Sequence, residues 1–393
     1  MTIPAVRLGD VVEIKGGGTP SKSIPDFWNG DIPWVSPKDM KSWEITDAAE
    51  KITHSAVKGS ATNLIPANSI LLVNRSGILK HTLPVGITRR PVAINQDIKA
   101  LVCGPQAHPE YVAHLVKSAE PVVLTWVRAT TADNFPIDNL RELEIPLPPL
   151  DEQKRIATIL NRADQLRQKR RQAIALLDSL TQAIFLEMFG ETASLDWPTA
   201  TIGEVALDMR TGPFGSQLLH SEFVDQGVAV LGIDNAVSNR FEWGKARFIT
   251  EKKYRKLSRY TVRPNDVLIT IMGTCGRCAV VPDDIPIAIN TKHLCCITLD
   301  GKKVLPQYLH ACFLNNRSVL RQLGVQAKGA VMPGLNMGII KSLVIPLPPI
   351  SLQDRFHGTL KTVMKQIRFS EFATDYADNL FTSLQHRAFT GQL

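Results

Sequence analysis

Cysteine is scarce in this chain, with six in 393 residues. Cys103 and Cys312 stand alone, Cys275 and Cys278 form a CxxC, and Cys295 and Cys296 are adjacent. That is too few for a disulfide-stapled scaffold of this length. Adjacent cysteines also fit poorly to the paired-knuckle spacing of zinc sites. Ile271 and Val280–Val281 flank the CxxC and read as core strands. The expectation is reduced, partly buried thiols and no metal. Long apolar runs are missing too: no uncharged stretch reaches the ~18–20 residues of a membrane span. The opening MTIPAVRLGD lacks a basic-then-apolar signal pattern. A cytoplasmic location and no membrane partner are expected.

Catalytic signatures are equally thin. There is no GxxxxGK[ST] phosphate loop and no GxGxxG. Gly16-Gly17-Gly18-Thr19 lacks the lysine and follows a strand-like run, so it reads as a turn. The Asn/Asp-Pro-Pro-aromatic string of adenine methyltransferases is absent, as are HxxxH and HExxH. Asp234 with Glu251-Lys252-Lys253 has the residue types of a nuclease carboxylate set but not its strand context. A non-enzyme without a cofactor of its own is favoured. A nuclease-like catalytic fusion and a protein scaffold stand as alternatives.

What is present begins with proline and its absence. Ile145 to Pro149 reads IPLPP, and about 38 residues without Pro or Gly follow, up to Gly190. Two prolines stop what precedes them. Ala, Leu, Gln, Arg and Lys then favour a helix of ~57 Å. Gly190 is placed for a left-handed C-terminal cap. One register reads Ile156, Ala163, Arg170, Leu177, Ile184, and its neighbour Leu160, Arg167, Ile174, Thr181, Met188. Such a seam has to be covered by something long.

The cover is in the same chain. IPLPP returns at 345–349, and a second segment runs from Ile350 to Phe389, ending at Gly391. Its registers are Phe356, Val363, Ser370, Ala377, Leu384 and Leu360, Ile367, Thr374, Phe381, Ala388. Arg170 and Ser370 fall at the same place in the two copies. Equivalent seams predict an intrachain antiparallel coiled coil. The plainer alternative is two ordinary surface helices in separate globules.

Other landmarks repeat in the same order. Pro4 to Val11 matches Pro198 to Val205. Ile52-Thr53 matches Ile249-Thr250, and Pro66-Ala-Asn-Ser-Ile-Leu echoes Pro264-Asn-Asp-Val-Leu-Ile. Ala93-Ile94-Asn95 matches Ala288-Ile289-Asn290, and Pro109-Glu-Tyr111 matches Pro306-Gln-Tyr308. The chain is thus two copies of one unit, each a mixed α/β globule followed by a rod. Strands are expected at 70–73, 85–87, 98–103, 228–233, 267–271 and 295–299. Helices are expected at 109–117 and 306–323, and a linker at 191–197. Antiparallel rods would make the molecule a pseudo-two-fold ruler, a shape suited to duplex DNA with spaced half-sites.

The net charge of +8 permits a polyanionic partner. Between 240 and 263 lie Arg240, Lys245, Arg247, Lys252, Lys253, Arg255, Lys256, Arg259 and Arg263 against Glu242 and Glu251. Phe241, Trp243, Phe248, Tyr254 and Tyr260 are interleaved. Cations of this kind neutralise phosphates, and arginine grips guanine edges. The alternative is a solvated face. From this region Lys245, Arg247, Lys252 and Lys253 are the candidate DNA contacts, with Arg277 beyond it. In the less basic first half, Lys38, Arg75 and Lys80 are the candidates, alongside Lys41, Arg89 and Arg90. On the first rod, Arg167, Arg170 and Arg171, beside Lys169, are candidates for partner binding.

The sequence resembles the specificity subunits of Type I restriction–modification enzymes along essentially its whole length. The resemblance rests on Leu8-Gly9-Asp10, IPWVSPKDM at 32–40, IPLPPLDEQKRIATIL at 145–160, FLEMFG at 185–190, GPFGSQL at 212–218 and SLQHRAFTGQL at 383–393. Ser351-Leu352-Gln353 departs from Asp151-Glu152-Gln153 in the second copy. The resemblance implies target recognition domains at 1–149 and 191–349, and spacer helices at 150–190 and 350–393. Each domain would read one half of a bipartite DNA site. Two modification subunits carrying S-adenosylmethionine and two restriction subunits using ATP and Mg would complete the assembly.

Overall fold

The computed structural model describes residues 4–128, 133–190, 197–324 and 334–393, so most of the expected linker at 191–197 lies outside the described residues. The chain divides into two compact units: Met1–Arg171 with Phe372–Leu393, and Gln172–Glu371. Each unit holds half of each long helix.

The long helices run Leu150–Phe189 and Ile350–Phe389, about 60 Å each. Both start directly after a Pro-Pro pair. The carbonyls of Pro149 and Pro349 accept the first helical amides, from Gln153 at 3.1 Å and Gln353 at 3.2 Å. Every residue of the two seam registers in the second helix is buried or half-buried, and the seam of the first is covered as well. In the first unit Arg167 meets Asp378 and Arg155 meets the Leu393 carbonyl, so the paired halves run antiparallel. In the second, Phe185 and Phe189 pack on Phe356 with centroids 5.9 and 5.1 Å apart. The left-handed cap expected at Gly190 does not form there, whereas Gly391 after the second helix adopts that conformation, with φ 74°. Gly190 instead continues the helical bonding, its N–H reaching the Leu186 carbonyl at 2.9 Å. A Cβ there would stand 2.3 Å from that oxygen, so glycine is needed for space rather than for handedness. By length and composition the first long helix could marginally cross a membrane, with a window of mean hydropathy 1.2. Its apolar residues are spaced as a seam rather than as a continuous belt.

The first unit carries a five-stranded sheet in which Ile98–Cys103 pairs antiparallel with Val12–Gly16 and Ile70–Val73. A four-stranded sheet is built on Trp28–Val35 and Val92–Ile94, which run parallel. The second unit repeats both arrangements. Leu294–Leu299 pairs with Ala206–Thr211 and Val267–Thr270. Ala288–Asn290 runs parallel to Val228–Leu231. The CxxC lies on an antiparallel hairpin, Val267–Thr270 with Cys278–Val280, as its flanking residues suggested. Burial pushes the Cys295 and Cys312 thiols up to about 12. The expected helix at 306–323 is two helices, Pro306–Asn315 and Arg317–Gln322. The break falls at Asn316, whose side chain caps the second by accepting from Ser318 and Val319.

The repeat extends to single bonds. Thr53 and Thr250 each cap the next helix through the hydroxyl, accepting from Ala56 and Lys253. Asn68 and Asn265 both adopt the left-handed turn conformation, φ 60° and 65°. Tyr111 and Tyr308 donate to the carbonyls of Pro146 and Pro346, each at 2.8 Å. That bond ties a ten-residue helix to the strand carrying the IPLPP string. At Gly17 a Cβ would lie 2.0 Å from the Ile94 carbonyl, and at Gly212 2.0 Å from that of Asn290. Both glycines let one strand end cross another.

Candidate nucleic-acid interface

In the first unit Lys38 is exposed in the turn after Trp28–Val35. Asp39 braces that turn, accepting from the Ser36 amide at 2.9 Å and the Ala49 amide at 3.0 Å. Arg75 and Lys80 lie on the loop after Ile70–Val73. Arg75 bonds Asp97 at 2.6 Å and Lys80 approaches Asp133 at 3.6 Å. Both stay largely exposed on their outer sides. Lys41 is exposed as well. Arg89 is half-buried between Glu44 and Glu110, while Arg90 stays exposed and donates to the Asp31 carbonyl at 3.1 Å. Lys38 is thus presented by one turn, and Arg75 and Lys80 by a second connection, Lys80 at the end of its short 3-10 helix Gly77–Lys80.

In the second unit the basic segment divides into two populations. Three of its cations are spent on internal ion pairs. Arg240 is clamped between Asp178 and Glu371 of the long helices. Arg247 pairs with Asp234, and Lys253 with Glu222 at 2.6 Å. Lys245 is exposed, but its backbone amide donates to Asp234 at 2.7 Å. Burial works against ionisation of Asp234, yet Arg247 and the Lys245 amide outweigh it and hold the carboxyl below its ordinary value. This carboxylate is a structural anchor for the loop. Glu251 sits in the first turn of its helix, near Arg255 at 3.9 Å.

The remaining cations are free of carboxylates or nearly so. The helix Glu251–Leu257 and the turn Ser258–Tyr260 place Lys252, Arg255, Lys256 and Arg259 at i, i+3, i+4 and i+7, all exposed. Tyr254, Leu257 and Tyr260 turn inward and anchor the element. Arg277 is exposed at the end of the hairpin turn after Val267–Thr270. Its amide donates to Thr270 Oγ1 at 2.8 Å, and Gly273 and Gly276 supply left-handed conformations, φ 71° and 79°. Trp243 is also exposed, edge-on to Phe241 with centroids 5.4 Å apart.

On the long helices Arg167 is drawn into the pairing. Its side chain is 17% exposed, bonded to Asp164 and Asp378 and stacked on Phe381 at 4.2 Å. Arg171 also reaches Asp378, at 3.0 Å, with its side chain 54% exposed. Arg170 is half-buried, and its Nε lacks a partner among the described residues. The outward faces carry a signal that charge alone did not reveal. In the first unit Phe372, Tyr376 and Leu380, at i, i+4 and i+8, are 73%, 68% and 45% exposed. In the second, Leu176, Leu180 and Phe369 are exposed too. The sequence could have shown this, because these residues lie outside both seam registers.

The family model described as the Type I restriction modification DNA specificity domain matches residues 4–176 and again 195–374. The Type I restriction enzyme EcoR124I/EcoR124II specificity subunit of Escherichia coli is 41% identical over 162 residues, 40% of each chain. The MjaIX specificity subunit of Methanocaldococcus jannaschii is 24% identical over 92% of this chain and 86% of its own length. In fold, the chain is similar to the Type-I restriction-modification S subunit from M. genitalium. That likeness has a TM-score of 0.59 at 14% identity and covers 99% of this chain and 96% of that one. With two matched domains covering most of its length, the chain belongs to the Type I restriction modification DNA specificity family and has its two-domain DNA target-recognition architecture.

Proposed function

We propose that this chain supplies sequence recognition, and no chemistry of its own, to a Type I assembly. Each globular part reads one half of a bipartite DNA target, and the paired helices set the gap between the halves. The observation that carries this is duplication with divergence. The two halves share their capping threonines, their left-handed asparagines and a fully buried glutamine each, Gln153 and Gln353, yet they present different cations. The first offers Lys38, Arg75 and Lys80 from loops. The second offers Lys245, Lys252 and Arg277, with Arg247 and Lys253 tied to carboxylates behind them. One scaffold carrying unlike surfaces suits two unlike half-sequences.

The partners in this reading are double-stranded DNA, two modification subunits and two restriction subunits. S-adenosylmethionine, ATP and Mg act on those partners, and the complex works in the cytoplasm. Modification subunits dock on the outward helix faces, where Phe372 and Tyr376 provide aromatic anchors of the kind that dominate interfaces. Arg171, exposed and paired with Asp378 of the second long helix, is proposed as a polar contact to the same partner.

The test is to combine the chain with its modification subunit and map the methylated positions on genomic DNA. A split motif with a fixed gap is expected, and no methyl transfer by the chain alone. A single uninterrupted motif, or transfer without the partner, would overturn the reading.

A further inference from the structure

The four exposed cations on the helix Glu251–Leu257 and the turn that follows it are not equivalent. Lys252, Arg255 and Lys256 project from the helix Glu251–Leu257 with little to orient their ends; Arg255 makes one distant contact with Glu251 at 3.9 Å. Flexible point charges of this kind suit phosphates, which carry no sequence. Arg259 is held differently. Its guanidinium lies over the Tyr260 ring at 4.6 Å. One terminal nitrogen donates to Tyr260 Oη and approaches Gln217 Oε1 at 3.4 Å. Tyr260 Oη in turn donates to Gln217 Oε1 at 2.8 Å.

Tyr260 is fixed from behind, whereas Gln217 is an exposed residue of a short turn. Tyr260 is 7% exposed and packs among Val228, Val230, Ile249 and Leu257. Gln217 closes a short turn that begins at Gly215, whose φ of 57° is open to glycine without strain. The supporting groups are neutral, so they orient the guanidinium without neutralising it. Among the described residues no carboxylate pairs with Arg259, in contrast to Arg240 and Arg247 of the same unit.

A planar donor fork that is pre-oriented, exposed and still fully charged is what bidentate recognition of guanine O6 and N7 requires. Preorganisation also lowers the entropy cost of making that contact. We propose that Arg259, presented by Gln217 and Tyr260, reads a guanine in the major groove. The guanine belongs to the half-site taken by the second globular part, with Lys252, Arg255 and Lys256 on the flanking phosphates. The inference rests on the DNA-reading function proposed above.

The experiment uses the full chain assembled with its modification subunit and a pool of randomised duplexes, scored by methylation. Arg259→Ala and Arg259→Lys are each expected to relax one position of one half-site by roughly tenfold to a hundredfold. The other half-site should stay unchanged. Lys252→Ala should weaken all targets alike and lower the salt slope of binding by about one. Uniform weakening by Arg259→Ala, with every base preference kept, would overturn the proposal. So would a lysine variant with unaltered preference, since a point charge would then suffice. A wild-type complex with no split preference would instead sink the broader reading.

Discussion

Gln153 and Gln353 make the same three hydrogen bonds in the two halves. Each side-chain oxygen accepts the amide just before a ten-residue helix, from His108 in one half and Leu305 in the other, both at 2.8 Å. Each side-chain nitrogen donates to the first proline of the Pro-Pro pair, Pro148 at 2.8 Å or Pro348 at 2.9 Å. It also donates to a loop carbonyl, Gln106 at 2.9 Å or Lys303 at 3.1 Å. Both glutamines are fully buried. The first turn of each long helix is thereby bonded to the globule it follows.

Gln353→Leu should therefore cost several kcal/mol, because it leaves a donor and two acceptors without partners at about 1–3 kcal/mol each. Calorimetry should show a lowered transition. Hydrogen exchange should place the loss in residues 303–306 and 346–356. An unchanged transition would mean that water satisfies these groups.

The Arg167–Asp378 contact should couple the paired helix halves of the first unit. A double-mutant cycle of Arg167→Ala and Asp378→Ala is expected to give about 1 kcal/mol of interaction, since the arginine also stacks on Phe381. Additive single effects would show the pair to be incidental.

Stability should also depend on pH through His310. The imidazole is buried, with Nε2 at 2.9 Å from the Asn239 carbonyl and 3.0 Å from that of Cys278. Burial lowers its pKa below the ordinary 6.5 and outweighs the two carbonyls, which act to raise it. The unfolded chain then takes up the proton first. The contribution is complete above about 6.5 and is lost as pH falls through that value towards the lowered one. Urea titrations from pH 7.5 to 5 should show this slope, and His310→Gln should reduce it. An equal slope in the variant would assign the effect to other groups.

Phe372→Ser combined with Tyr376→Ser should leave the fold intact, because both rings are mostly in solvent. Affinity for the modification subunit should fall tenfold or more if these rings are anchors. Calorimetric titration showing wild-type affinity would move the docking face elsewhere.

Removing one heptad from each long helix at equivalent places keeps the seam in phase and shortens it by about 10 Å. The gap in the methylated motif should shrink by roughly three base pairs. A gap of unchanged length would refute the spacer role of the helices.

The sequence was most legible where one local rule dominated. Proline pairs and an unbroken helical composition located both long helices, and period-seven spacing located their seams. Short β-branched runs located the strands around Ile70 and Val267. The basic segment at 240–263 was harder to read, since a cation's role depends on carboxylates far along the chain. Arg240 finds Asp178 and Glu371, and nothing near it in sequence announces them. The buried pair of Arg210 and Asp266, to which Thr298 also bonds at 2.6 Å, escaped notice for the same reason. Trp28–Val35 was missed as a strand because Gly30 and Pro33 interrupt its composition.

The first unit completes its core with Phe381, Leu384, Ala388 and Phe389, while the second closes on residues no later than Glu371. During synthesis, the globule made first must therefore wait for the second long helix before its hydrophobic interior is sealed. The globule made second can mature ahead of it. Nicking the second long helix beyond Glu371 would consequently be felt in the first globule, some two hundred residues or more away along the chain.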